Sequence, residues 1–206
     1  EPVPSASIVN NKPSVCNGAN VDLVINSLTS VLTPSDLSLE VKVTSTNPDA
    51  LSGTACSDIT LTKSQIPYSL RGTLINSSDE PIEVTYTITP KITGCSDGPQ
   101  VSATVTVNPT AVVTSGATAN WCNNTANTYT ATSSSTTAAF TWTRAAVAGI
   151  SNAASGGTGG TITETLENTT TEPVVVHYLI TPVVNGCPGT QFDVAVTVNP
   201  TAVVTS

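Results

Sequence analysis

From Ile82 to Thr89 apolar and polar side chains take strict turns: Ile82, Val84, Tyr86 and Ile88 alternate with Glu83, Thr85, Thr87 and Thr89. A period of two sends every other side chain to one face, so this stretch predicts a strand with one dry side and one wet side. The pattern returns at Val174, Val176, Tyr178 and Ile180. Each run leads into a Gly-containing turn, ITGCSDGP or VNGCPGT, and then a further strand-like run, VSATVTVNP or FDVAVTVNP, which together predict a hairpin. Upstream, SLEVKVTS (Ser38 to Ser45) and FTWTR (Phe140 to Arg144) correspond by order, with Phe140 and Trp142 on the inward side. No segment sustains a helical period. About seven such strands in each half, separated by Gly, Pro, Asn and Ser clusters, fit an all-β, immunoglobulin-like antiparallel sandwich.

The halves are copies. VTVNPTAVVTS occurs at Val105 to Ser115 and again at Val196 to Ser206, 91 positions on. YTITPKITGC and YLITPVVNGC stand 92 apart, as do INSSDEP (Ile75 to Pro81) and ENTTTEP (Glu167 to Pro173). Upstream the offset grows to 106, where SVCNGANVDL faces NWCNNTANTY. The expected organisation is a repeat over 1–108 with an insertion near 47–68, a second repeat over 109–199, and at 200–206 the first strand of a further repeat, as in a piece of a longer tandem array. The boundary V-N-P-T has almost no slack. Pro109 fixes its own φ and biases Asn108 toward extended backbone, so the two sandwiches are expected end to end.

The net charge of −8 divides evenly enough between the halves, five basic against ten acidic residues over 1–108 and one against four in the rest. Such a surface repels phosphate backbones, which argues against nucleic acid as a partner. No apolar run approaches the roughly 18 residues of a membrane helix, and no charged-then-apolar leader opens the chain. Any export signal or anchor is expected outside this sequence.

Little of the chain points to chemistry. A nucleophile needs a base, and the one histidine, His177, falls on the outward face of its strand, where the first repeat has Thr85. The acidic residues are scattered and never take the DxDxDG spacing of a calcium loop. Glu80 belongs to a turn and Glu83 to a wet face. SGGTGG (Ser155 to Gly160) lacks the GK[ST] that holds a phosphate and reads as a mobile loop between strands. Catalytic residues, a bound metal and a cofactor are therefore not expected. The sequons at Asn76, Asn123 and Asn168 arise easily in a chain this rich in Asn, Ser and Thr.

The order of a Cys before the second strand, ITP toward the close of the penultimate strand, GC in the last hairpin and VTVNP at the boundary resembles the PKD-like and Ig-like repeats of Bacteroidetes surface proteins. Such repeats fill the giant mobile adhesin of gliding Flavobacterium and other cargo of the type IX secretion system. The WDFGDG-type segment of ordinary PKD domains is missing, with FTWTRAAVAG and LEVKVTSTNP in its place. The resemblance implies an extracellular, cell-surface setting. It also implies structural stalk repeats whose partners are neighbouring repeats of the same chain, with surface polysaccharide bound, if at all, by other parts of the adhesin. A glycan-binding sandwich is the alternative, and its candidate exposed platform is Trp121 in the turn-rich stretch ATANWCNN; packing of this ring against Cys122 or the adjacent domain is the favoured reading of the residue.

Five cysteines are an odd number for an exported chain. Within one repeat the first Cys precedes strand B and the second follows strand F, which puts them at opposite ends, roughly 20–25 Å apart, against the 4–7 Å between α-carbons that a disulfide allows. Cys16–Cys95 and Cys122–Cys187 are disfavoured on that ground. Stacked end to end, the bottom of repeat one would meet the top of repeat two, which points to Cys16–Cys187. Cys56 returns to the same end as Cys16 and competes for it, and Cys95 and Cys122 are left for neighbours.

Overall fold

The structure, a computed structural model, describes residues 3–29 and 37–202, and the chain divides into two compact units, Glu1–Pro109 and Thr110–Ser206. The described residues are almost entirely strand and turn, apart from two single 3₁₀ turns at Pro48–Ala50 and Lys63–Gln65.

The first unit contains β1 (Ala6–Asn10), β2 (Ser14–Cys16), β3 (Leu23–Ser27), β4 (Leu37–Ser45), β5 (Leu51–Ser52), β6 (Ile59–Thr62), β7 (Tyr68–Leu70), β8 (Ile75–Asn76), β9 (Ile82–Ile92) and β10 (Val101–Asn108). One layer has the order β1-β3-β7 and the facing layer β2-β10-β9-β4-β6. Every pairing is antiparallel except β2 with β10, which is parallel. The alternation along β9 is realised: Ile82, Val84, Tyr86 and Ile88 are buried, facing Leu23 and Ile25 of the other layer in one continuous core. The extra length of this unit, near 47–68, supplies β5, the edge strand β6 and both 3₁₀ turns.

The second unit contains β11 (Thr118–Cys122), β12 (Ala126–Thr130), β13 (Ala139–Arg144), β14 (Ser155–Thr158), β15 (Thr161–Thr165), β16 (Val174–Val184), β17 (Cys187–Pro188) and β18 (Phe192–Asn199). Its larger layer runs β11-β18-β16-β13-β14, with β17 hairpinned on β16, and its smaller layer is β12-β15. Again only the first pairing, β11 with β18, is parallel. Residues 109–115, the copy of the segment expected as a strand at 200–206, form only a single bridge at Val113–Ser133 flanked by the bonds Thr114 N to Thr132 O and Ser134 N to Val112 O. SGGTGG is not a loop. Its first four residues are the edge strand β14, laid so closely on Trp142 that a Cβ at Gly157 would stand 3.1 Å from the indole.

The ITP and glycine signals share one cause. Gly98 N–H donates to the Pro90 carbonyl at 2.8 Å and Gly189 N–H to that of Pro182 at 2.7 Å. A Cβ on Gly98 would lie 1.8 Å from the Pro4 carbonyl oxygen, and one on Gly189 2.0 Å from that of Ala111. The segment that enters each unit ahead of its first strand can cross the last hairpin only because both positions are glycine. After β18, Thr201 and Ala202 are exposed and not in a strand, and the rest of the expected strand at 200–206 lies outside the described residues from 203 on.

Candidate functional site

His177 stands on the outward face of β16, 56% exposed, with Nδ1 2.9 Å from both carboxylate oxygens of Asp193 on β18. The pair is open to solvent, where such contacts contribute little. Among the described residues no three His, Cys, Asp or Glu side chains converge as metal ligands.

Trp121 is not an exposed contact. It is 3% exposed and lies on β11, where parallel pairing with β18 overrides the turn-like look of ATANWCNN. Its ring packs 5.5 Å from that of Tyr178 at a tilt of 55°. Trp142 keeps the inward side with Phe140, but it remains half-buried because its strand neighbour β14 offers only glycine backbone as cover. A sugar platform built on Trp121 is therefore removed.

The cysteines divide cleanly. Cys16 and Cys187 are disulfide-bonded, while Cys56, Cys95 and Cys122 are reduced thiols. Cys16 lies opposite Asn108 at the far end of β10, and Cys95 sits in the β9–β10 turn at its near end, so eight strand residues, about 25 Å at the usual rise, separate the ends they occupy. Cys122, opposite Asn199, and Cys187, opposite Val184 in the hairpin, repeat the arrangement in the second unit. Cys56 is half-buried and its thiol donates to the Gly53 carbonyl at 2.8 Å. It lines a hollow of about 330 Å³ with Val43, Thr44, Ser45, Pro48 and Leu51. Ser45 Oγ is the one buried side-chain polar atom without a hydrogen-bond partner among the described residues.

Two of the sequons turn out to be structural latches. Asn76 is 2% exposed; its Nδ2 donates to the carbonyls of Glu80 and Val107 at 2.8 and 2.9 Å, and its Oδ1 accepts from Ser78 N–H and Ser78 Oγ. Asn168 does the same with Glu172, Val198 and Thr170 at distances within 0.1 Å of those. Each amide thus ties the turn before the penultimate strand to the end of the last one, and the hydroxyl two residues on completes the latch. The pattern N-x-[ST]-x-E-P, present at both places, was the available signal.

The second unit also buries a charge pair that sequence reasoning passed over. Arg144 is 2% exposed; its Nε donates to Glu164 Oε2 at 2.8 Å and its Nη2 to Oε1 at 3.2 Å, while the guanidinium further serves the carbonyls of Ala145 and Ala153. Tyr178 Oη donates to the same Glu164. Burial alone pushes the Glu164 carboxyl up, but hydrogen bonds from Arg144 and Tyr178 and the Arg144 charge outweigh it and hold the group below its ordinary range. Burial first, then Glu164, drives the Tyr178 hydroxyl far above its usual value. The phenol stays neutral and acts as a donor.

Two facing layers, with an amino-terminal segment that pairs first with one layer and then in parallel with the last strand of the other, define each unit as an immunoglobulin-like sandwich. The PKD-like domain model matches residues 52–111 and 119–202, well over half of the chain, and the chain belongs to the PKD-like domain family. No curated protein matches it in sequence. Among solved structures it is similar to the first eight Ig domains of Down Syndrome Cell Adhesion Molecule, at 11% identity over 97% of this chain and 25% of that one with a TM-score of 0.47. Similarity extends to the D00-D0 domain of Intimin at 14% identity over 95% and 99% of the two chains, and to the first two Ig domains of DIP-gamma at 12% over 96% and 98%, each with a TM-score of 0.43.

Proposed function

We propose that the chain supplies two consecutive stalk repeats of a secreted cell-surface adhesin, set end to end, of the kind that serves surface attachment or gliding motility. Domains of this type are typically non-catalytic structural modules. The observation that carries the reading is that one frame is built twice: the same parallel first pairing, the same asparagine latch and the same glycine crossing recur. In this reading a Cys16–Cys187 bridge locks the joint between neighbouring repeats; that these two cysteines are the disulfide-bonded ones supports it.

Small-angle scattering on the intact chain tests the reading. A 206-residue compact globule has a radius of gyration of about 17 Å. A stalk segment should exceed that by a third or more, and a value near 17 Å overturns the end-to-end arrangement. Non-reducing peptide mapping should recover Cys16 linked to Cys187. A glycan array probed with the chain should return no hits, whereas strong hits would restore the lectin alternative.

A further inference from the structure

The two latches account for Asn76 and Asn168, and they leave Asn123, the third sequon asparagine, with a different set of partners. Its Oδ1 accepts from Asn168 N–H at 2.7 Å and its Nδ2 donates to the Asn168 carbonyl at 3.2 Å. The same Nδ2 reaches Thr201 Oγ1 at 2.9 Å, beyond the last strand and past Pro200. Asn168 in turn holds the Val198 carbonyl, so one relay runs from Val198 through Asn168 and Asn123 to Thr201. Asn199 adds a weaker tie from Nδ2 to the Trp121 carbonyl at 3.4 Å. The turn that presents Asn123 is fixed as well: Asn124 sits at φ 51° and donates its N–H to the Leu166 carbonyl at 2.9 Å, as Gly18 at φ 75° does to that of Leu74 in the first unit.

We propose that Asn123 is an exit clamp, which fastens the chain leaving the second sandwich to the body of that sandwich and turns V-N-P-T from a swivel into a fixed joint. Pro200 already restricts its own φ and the backbone of Asn199. What it leaves loose is the rotation after proline, and the Asn123–Thr201 bond removes that freedom. Asn17 and Thr110 stand at the matching places of the first repeat, 106 and 91 positions earlier, so the sequence carries the clamp residues twice. The clamp rests on the stalk reading for its purpose, since a fixed exit is what lets a row of units hold a direction.

The test is a pair of substitutions in the intact chain, read by backbone amide relaxation. Thr201→Val removes the acceptor and keeps the shape; Asn123→Asp keeps the acceptor for Asn168 N–H and removes the donor. In the unaltered chain the order parameters at Thr201 and Ala202 should be close to those of β18, about 0.85, and in either variant they should fall below about 0.6. Tryptophan fluorescence checks the fold, since both tryptophans lie in this unit. Thr201 is exposed, so Thr201→Val keeps the test valid even if the Asp variant unfolds. Order parameters already low in the unaltered chain, or unchanged in a folded Thr201→Val variant, overturn the clamp. An elongated chain with a silent Thr201→Val removes the clamp and spares the stalk; a compact chain whose exit loosens on substitution removes the stalk and spares the clamp.

Discussion

Tyr86 and Tyr178 occupy one place in two copies of the same frame, and the chemistry around them differs. Tyr86 donates its hydroxyl to the Ala55 carbonyl at 2.9 Å, and the strand residue opposite it in register is Val43. Tyr178 donates to the Glu164 carboxylate, and the residue opposite it is Arg144. Where the second repeat has Glu164 the first has Gly72, whose Cβ would stand 2.8 Å from Thr54 and 2.9 Å from Ala55. The inserted chain of the first unit thus fills the space of the carboxylate and offers a neutral acceptor in its stead. A neutral acceptor needs no counter-ion, so Val43 suffices. A buried carboxylate does need one, and Arg144 provides it. The frame constrains strand register, latch and crossing, and leaves the partner of the buried phenol to local solutions.

Removing the cation should expose this difference most sharply. Arg144→Met leaves Glu164 largely buried without compensation, and the second unit should lose about 3–5 kcal/mol. Arg144→Met with Glu164→Gln keeps an acceptor for Tyr178 and should recover most of the loss. Urea unfolding followed by tryptophan fluorescence isolates this unit inside the intact chain, because the first unit has no tryptophan. A single variant as stable as the double would mean that the two charges are not coupled.

The latches should behave alike where the interiors do not. Asn76→Ala and Asn168→Ala each strand the carbonyl of the last strand and one N–H, while Ser78 Oγ and Thr170 Oγ1 still reach the Glu80 and Glu172 carbonyls, and each should cost its own unit about 2–4 kcal/mol. Calorimetry resolves the two transitions. Costs that differ more than twofold would show that the shared geometry does not carry shared energetics.

Alternation made β9 and β16, their hairpins and the outward His177 legible from sequence, since each rests on neighbours two apart. The repeat offsets made two similar units legible for the same local reason. What stayed hidden depends on pairs far along the chain. Asn76 meets the Val107 carbonyl 31 residues away and Arg144 meets Glu164 20 residues away, and neither partner is marked by any local pattern. The packing role of Trp121 was open to sequence reading, but the strand that carries it was not, because Ala and Asn are poor strand formers and only the parallel ladder with β18 makes that segment a strand. SGGTGG was misread because glycines in a strand need an aromatic neighbour to cover them, and Trp142 is 15 residues upstream of Gly157.

Acid should separate the units more gently. Glu164 is held below its ordinary range when folded, so its contribution is fully present above the unfolded carboxylate value, about 4.3, and is lost as pH falls through the lower folded value. The first unit has no charge pair at this place. Between pH 6 and pH 3, at about 0.1 M salt, the urea midpoint by tryptophan fluorescence should fall more steeply with pH in the unaltered chain than in the Arg144→Met, Glu164→Gln variant. Parallel slopes would mean that other carboxylates dominate the acid response.

The smallest expected effect has the opposite sign and belongs to the first unit. Ser45 closes β4 with a buried hydroxyl that finds no partner, beside the hollow lined by Val43, Pro48, Leu51 and Cys56. Counting on from the two tyrosine registers, the second repeat has Ala146 at this place. A buried polar atom without a hydrogen bond loses its hydration and gains nothing in exchange, so its removal releases that desolvation cost. Ser45→Ala deletes one oxygen without adding volume and should stabilise the first unit by about 0.5 kcal/mol, a rise of about 2–4 °C in its calorimetric transition for a domain of this size. The transition of the second unit should not move. A fall in the first transition would show that the hydroxyl is satisfied by water in the hollow, and the difference between the two interiors would then include a solvated pocket in the first unit.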